Sequence, residues 1–368
     1  MYENDERTVL TLDAGGTNFV FSAIQGCREA AAPVRMPAIT DDLDKCLLRI
    51  TEGFSQIRKQ LKSEPAAISF AFPGPADYEA GIIGDLPNFK CFRGGVALGP
   101  YLSDKFGIPV HINNDGNLFA YGEAIAGFLP ATNAKLAEAG NPKQYRNLVG
   151  VTLGTGFGGG VVIDGRLLTG DNGCGGDVWL MRNKKYPEMI CEESVSIRAV
   201  KRVYAELTGE KNPSLNPKDI FDIAEGTAPG DPYAARRSFE ELGEMAADAI
   251  VRALDIVDGL VVIGGGISAA SKYIIPGMMS EMRRKVGVFS GESFPCLQME
   301  AFDLSDEADL KEFLKDDSSQ VAVPFSEETV RYSFRKKIGV GVSALGTSHA
   351  ISVGAYAVAL AALDAKNE

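Results

Sequence analysis

The chain has 368 residues, 45 % of them hydrophobic and 23 % charged, which excludes a disordered or fibrous protein and predicts two or three domains. Its net charge of −12 excludes a partner such as duplex nucleic acid, whose binding rests on neutralising a long run of phosphates. A nucleotide stays open, because backbone N–H groups and a metal ion hold a triphosphate without a basic surface.

Cys27, Cys46, Cys91, Cys174, Cys191 and Cys296 are scattered with no C-x-x-C pair, so neither a disulfide framework nor a zinc ribbon is encoded. The opening MYENDERTVL lacks the apolar stretch of a signal peptide, and no run approaches the ~18 apolar residues of a membrane span. A cytoplasmic protein with no membrane partner is expected.

Thr8 to Leu12 is a short β-rich run that ends in Asp13-Ala-Gly-Gly-Thr-Asn18 and resumes as Phe19 to Ile24, a strand, a glycine turn and a strand. Over residues 41–62, Leu43, Leu47, Ile50, Phe54, Ile57 and Leu61 recur at spacings of three and four, which predicts an amphipathic helix covering one sheet face. Ala66 to Phe72 reads as a buried strand before the turn Pro73-Gly-Pro75. Pro109 to Ile112 is a strand running into Asn113-Asn-Asp-Gly-Asn117, and Leu118 to Phe128 is helical. Strands alternating with helices predict a mainly α/β architecture.

A second half repeats the opening. Leu148 to Leu153 enters Gly154-Thr-Gly-Phe-Gly-Gly-Gly160 and leaves as Val161 to Asp164, which suggests a duplicated fold. Ser238 to Val257 is a long helix, Leu260 to Ile263 a buried strand, and Gly264-Gly-Gly-Ile-Ser268 a turn into another helix. Between about 285 and 335 the pattern breaks down, and Asp303 to Asp317, rich in acid and lysine, predicts a solvated surface insertion or a lid. Ala350 to Ala365 is helical.

Four turns carry candidate chemistry. In Asp13-Ala-Gly-Gly-Thr-Asn18 a carboxylate at a strand end precedes glycines, a hydroxyl and an amide; such a turn binds phosphate through N–H groups while Asp13 holds Mg²⁺ through water. A plain hairpin turn is the other reading. Gly154, Gly156 and Gly159 satisfy G-x-G-x-x-G, but a dinucleotide fingerprint must open a helix, and here β-branched residues and Asp-Gly follow, so an NAD-dependent oxidoreductase ranks below phosphate binding. Gly264, Gly265 and Gly266 either let a flat adenosine lie against the backbone or make a tight strand-to-helix turn. Asn114 and Asp115 stand outside the carboxyl end of a strand, where α/β folds place ligands; a carboxylate there can take a hydroxyl proton, or the pair serves as a helix N-cap. His111 and His349 have no partner spacing and read as structural, Trp179 as core or pocket wall, and no G-x-S-x-G elbow exists.

Together these motifs, with Pro87-Asn88, resemble the ROK family of sugar kinases and repressors, part of the actin-like ATPase superfold, over about Thr8 to Ile267 and the last helix. The resemblance implies an α/β, two-lobed actin-like ATPase (ribonuclease H-like) duplication with a central cleft, residues 1–121 plus 353–368 forming one lobe and 122–352 the other. It implies a homodimeric, ATP- and Mg²⁺-dependent kinase of a hexose or amino sugar with Asp115 as catalytic base. ATP would be held by Asp13, Gly15, Gly16, Thr17, Asn18, Gly154, Thr155, Gly156 and Gly264–Gly266. The sugar would be held by Asn114, Asp177, Glu192, Gly74 and Asn88. The chain departs from the family's Gly-Glu-x-Gly-His segment, with Asp177 for the glutamate and Leu180 for the histidine, and Met181 to Cys191 lacks the cysteines of the family's zinc segment; no structural zinc is expected. Cys191-Glu-Glu-Ser-Val-Ser196 matches the family's Leu-Glu-x-x-x-Ser and places Glu192 on a sugar-binding acid. A strand beginning near residue 8 leaves no room for the helix-turn-helix of the family's repressors. A non-catalytic sugar or nucleotide sensor of the same fold is the alternative.

Overall fold

The computed structural model describes residues 2–15, 17–86, 89–209 and 214–365. They group into two units, 1–127 with 160–176 and 344–368, and 128–159 with 177–343. Residues 160–176 thus group with the first unit.

In the first unit, Val9–Ala14 and Asn18–Gln25 pair antiparallel, with Asp13 opposite Val20. Ala67–Ala71 lies parallel to Val9–Ala14, and Val110–Asn113 parallel to Ala67–Ala71. All three parallel strands therefore end on one side, and it is from those ends that Asp13 and Asn114 emerge. The helix Leu43–Arg58 begins at Asp42, whose side chain accepts the N–H of Lys45, and buries Cys46, Ile50, Phe54 and Ile57. Its Phe54 meets Phe21 edge-on, ring centroids 5.1 Å apart, at the centre of a core that also holds Phe19, Phe70 and Phe72.

Asp115–Ile125 and Thr347–Ala365 form a tightly packed helix pair. Their backbones approach closely because Gly122 and Gly354 face the partner helix: a Cβ on Gly122 would stand 1.9 Å from the Ala350 carbonyl oxygen, and one on Gly354 1.9 Å from that of Leu118. The expectation that no run approaches the length of a membrane span is corrected by Thr347–Ala365, the one described helix long and apolar enough to cross a membrane; its Ala350, Val353, Tyr356 and Leu360 are buried.

The second unit repeats the plan. Leu148–Leu153 runs parallel to Leu260–Gly264, which runs parallel to Lys337–Val342, and that in turn to Glu300–Asp303. Pro232–Val257, started by Asp231 and Pro232, packs along Ser271–Met282. One expectation is corrected here. Residues 300–314 are not a surface insertion: Glu300–Asp303 is a strand of the main sheet, and Glu307–Leu314 buries Phe313 beside Phe302, centroids 6.1 Å apart. Few apolar residues among many charges suffice, because Ala301, Phe302 and Phe313 are buried while the charged positions face outward. What projects is the hairpin Lys285–Gly287 with Ser293–Pro295, and the hairpin Ser319–Ala322 with Thr329–Tyr332.

Candidate functional site

Asp13, Gly15, Thr17, Asn18, Gly74, Asn114 and Asp115 lie in the first unit, and Gly154–Gly156, Asp177, Glu192 and Gly264–Gly266 in the second. Gly16 and Asn88 lie outside the described residues.

Asn114 is both strand end and helix cap. Its Oδ1 accepts the N–H groups of Gly116 (2.7 Å) and Asn117 (3.3 Å), so the N-cap reading of this motif holds for Asn114. Asp115 then becomes the first helical residue, its Oδ1 accepting the Gly116 N–H at 2.9 Å. Asp115 still presents surface to solvent, yet the protein density around it is high, and that density sets its proton affinity. Desolvation holds its carboxyl above the ordinary carboxylate range, opposed by the Gly116 and its own N–H groups and reinforced by the negative charge of Asp13. A carboxylate displaced toward neutrality is a stronger base than an ordinary one.

Asp13 is exposed at the end of its strand, with Ser348 Oγ donating to its Oδ2 at 3.3 Å. Thr17 is exposed and its carbonyl receives the N–H of Ala38 at 3.0 Å. Gly74 sits beneath Tyr78, whose hydroxyl donates to the Phe72 carbonyl at 3.0 Å. A cavity of about 800 Å³ in this unit is lined by Asp77, Tyr78, Asn113, Asn117 and Gly170–Gly173, but not by Asn114 or Asp115.

In the second unit Glu192 organises the site. Its Oε2 accepts the Phe157 N–H at 3.0 Å, and its Oε1 pairs with the Arg198 guanidinium at 2.8 Å. A Cβ on Gly156 would lie 2.5 Å from Glu192 Oε2, so a side chain there would push that carboxylate aside. The turn itself is closed by the Gly154 N–H on the Gly156 carbonyl at 3.1 Å, and the Gly154 carbonyl receives the N–H of Ile197. It leads into the strand Phe157–Ile163 and not into a helix, so the dinucleotide context is absent.

Asp177 carries a raised pKa, from desolvation first, moderated by a hydrogen bond from the Trp179 indole. The Trp179 carbonyl in turn receives the Glu192 N–H at 3.2 Å. One residue thus ties Asp177 and Glu192 together. Of the two expectations for Trp179, its 37 % exposure excludes core and leaves pocket wall; its position two residues after Asp177 was the available signal for the indole bond. Arg198, six residues beyond Glu192, was also missed. Leu180 is 55 % exposed.

The segment Met181–Cys191 is ordered by side chains. Asn183 is fully buried; its Nδ2 donates to the Ile190 carbonyl (3.2 Å) and Ser194 Oγ (2.8 Å), and its Oδ1 accepts from Lys185 N (3.0 Å) and Tyr186 N (2.9 Å). Lys184 pairs with Glu281 at 2.5 Å, Lys185 with Glu241 at 2.7 Å, and Arg202 lies over the Tyr186 ring at 5.0 Å.

Of the last glycine motif, Gly265 has φ +87° and a Cβ there would lie 2.3 Å from the Leu153 carbonyl oxygen, so its glycine serves packing; around Gly266 there is open space.

The ROK family model matches residues 9–310. A glucokinase crystal structure from Parabacteroides distasonis is 59 % identical, with a TM-score of 0.89 over 98 % of this chain and 99 % of that one. An N-acetyl-D-glucosamine kinase of Vibrio vulnificus is 29 % identical over 277 residues, 70 % of this chain and 83 % of the relative. A ROK glucokinase of Streptomyces griseus, solved with glucose and AMPPNP, is 17 % identical and shares the fold with a TM-score of 0.60 over 95 % of this chain and 98 % of that one.

Proposed function

The chain belongs to the ROK family, with the actin-like ATPase fold, and is a sugar kinase, and from that premise we propose that it transfers the γ-phosphate of ATP to a hydroxyl of glucose with Asp115 as general base. The observation that carries the base assignment is the Asp115 carboxyl at the head of its helix, held above the ordinary range by desolvation. The 59 % identical glucokinase supports glucose as acceptor, and AMPPNP in a relative of the same fold supports ATP.

In this reading Asp115 takes the hydroxyl proton as the sugar oxygen bonds to the γ-phosphorus, and the bond from that phosphorus to the β,γ-bridging oxygen breaks, releasing ADP. Asn114, Asp177 and Glu192 hold sugar hydroxyls; Glu192 has acceptor capacity to spare, since each of its oxygens uses one position on protein donors. Gly74 and Asn88 line the sugar. The N–H groups of Gly15, Gly16, Thr17, Asn18 and of Gly154–Gly156 receive phosphate oxygens, and adenosine lies on Gly264–Gly266. Asp13, a single exposed carboxylate steadied by Ser348, suits Mg²⁺ held mostly by water and phosphate. When bound, that ion would offset phosphate charge. This reading assigns the order of 181–191 to its side-chain hydrogen bonds rather than to a structural zinc, and places the enzyme in the cytoplasm.

The test is ADP release by purified protein with Mg-ATP and a panel of glucose, N-acetylglucosamine, mannose and fructose. Turnover with glucose well ahead of the others is expected. Absence of turnover across the panel, with sugar-induced thermal stabilisation retained, would instead establish a sensor, the reading that the exposed apolar Leu180 favours.

A further inference from the structure

One cavity of the second unit is basic, in a chain of net charge −12. About 520 Å³ in volume, it is lined by Arg182, Lys184, Arg252 and Arg284 and by a single acid, Asp248. Arg182 and Lys184 belong to the segment after Asp177, Asp248 and Arg252 to the helix Pro232–Val257, and Arg284 follows the helix Ser271–Met282. A second acid, the buried Glu281, pairs with both Lys184 and Arg284. Asp248 stands 3.7 Å from Arg252 and 3.7 Å from Arg284, too far for a hydrogen bond. Arg182 has no ionic or hydrogen-bonded partner for its side chain among the described residues. Four cations therefore face two acids, a surplus of two positive charges. Elsewhere in the unit Lys185, Arg202 and Arg237 each pair with an acid of their own, Glu241, Glu206 and Glu244. Cations gathered at one cavity repel one another, and an anion seated among them removes that cost.

We propose that this cavity binds the phosphate group of a small phosphate monoester. Such a group carries about −1.5 to −2 charges at pH 7, which matches the surplus, whereas a carboxylate would meet half of it. The donors are also of the right kind. Arg182 and Arg252 make no side-chain hydrogen bonds among the described residues, and Arg284 uses only its Nε, on Glu281, so three guanidinium forks keep N–H groups for phosphate oxygens. The cavity is larger than a phosphate alone requires, and Met181, Pro187 and Ala249 give the remainder an apolar wall for the carbon frame of an ester. An ester held there would tie the segment to the helix Pro232–Val257. That segment is closed by the Cys191 N–H on the Met181 carbonyl at 2.8 Å and runs directly into Glu192.

A sugar kinase makes a phosphate monoester, so glucose 6-phosphate serves as the probe. Isothermal titration calorimetry on the full chain tests the proposal with this ester and with inorganic phosphate, glucose and AMPPNP being present throughout at saturation to keep the ester out of the kinase site. The wild type is expected to bind one equivalent of glucose 6-phosphate, and Arg182→Gln/Arg252→Gln to bind it at least about 10-fold more weakly, as loss of a hydrogen bond from a charged group implies. Both side chains are exposed and neither is assigned to the reaction, so the variant should keep the wild-type melting temperature and ADP release; lost ester binding beside intact ADP release separates this site from the proposed kinase function. A wild type that binds no ester, or a variant that binds it with unchanged affinity, overturns the proposal, and inorganic phosphate bound as tightly as the ester overturns the assignment to a monoester. Hydrogen exchange is the second measurement: amides of 182–190 are expected to slow when the ester is added to wild type. The same slowing in the double variant would put the ester elsewhere and overturn this site.

Discussion

The N–H of Phe157 and the carboxylate of Glu192 meet at 3.0 Å. This bond joins the glycine turn of residues 154–156 to an acid of the same unit; in the proposed function the first holds phosphate and the second sugar. In the proposed function the phosphate turn and a sugar-binding acid therefore share a side chain, so that disturbing one should disturb the other.

Glu192→Ala is accordingly expected to impair both substrates. A hydrogen bond to a charged group contributes about 1.5–3 kcal/mol, or about 10- to 100-fold in kcat/KM for the sugar, and the freed Phe157 N–H should raise KM for ATP as well. Glu192→Gln keeps an acceptor for that N–H and should leave KM for ATP near wild type. Steady-state kinetics varying each substrate separate the two; a sugar effect alone in Glu192→Ala would refute the shared role.

Trp179→Phe keeps the ring and removes the indole N–H. Desolvation raises the Asp177 pKa and the indole bond opposes it, so its loss lets Asp177 rise further and protonate at a higher pH. KM for the sugar should then climb as pH falls, starting at a higher pH than in wild type. The acid limb of kcat, set by Asp115, should not move. Identical KM profiles for variant and wild type would leave Trp179 with no positioning role.

The strands and turns that lead to these residues were legible from the sequence because their signals are local: alternation or apolar runs for Val9–Ala14 and Leu148–Leu153, and polar-glycine clusters after them. Asp115 and Glu192 stood out by motif. What was not legible depends on distance in the chain or on a minority of residues. Glu300–Asp303 becomes a strand only because Lys337–Val342 lies beside it, and a run rich in charge hides that. The Trp179 links to Asp177 and Glu192 involve an indole hydrogen and a backbone carbonyl, neither of which a residue-type pattern can report. Asn183, one polar residue in a segment without apolar periodicity, gave no signal at all.

Asp115→Asn should lower kcat by about 10²- to 10⁴-fold, the usual contribution of a general base, and should melt no lower than wild type. The folded pKa of Asp115 is raised above its unfolded value. The wild type therefore loses stability as pH rises from the unfolded value to the folded one, and asparagine does not. The melting temperature of the variant should gain on that of wild type across that window. In wild-type kinetics the same shift places the acid limb of kcat above the ordinary carboxylate range. A limb within that range, or a variant retaining wild-type kcat, would remove Asp115 from the base role.

Asn183 holds the segment between Asp177 and Glu192 through four hydrogen bonds, all from a fully buried side chain. Asn183→Ala leaves the Lys185 and Tyr186 N–H groups and the Ser194 hydroxyl without this partner. At ~1–3 kcal/mol for a buried polar group left unmatched, with relaxation and water recovering part, the loss should be on the order of 2–4 kcal/mol. Because the segment also leads into Glu192, KM for the sugar should rise even where the variant remains folded. Urea unfolding with and without EDTA separates this account from a metal-ordered segment. If side-chain hydrogen bonds order it, EDTA leaves the wild-type midpoint unchanged and only the Asn183 variant is shifted. A wild-type midpoint that falls in EDTA and recovers with added zinc would show that a metal, and not Asn183, holds this part of the chain.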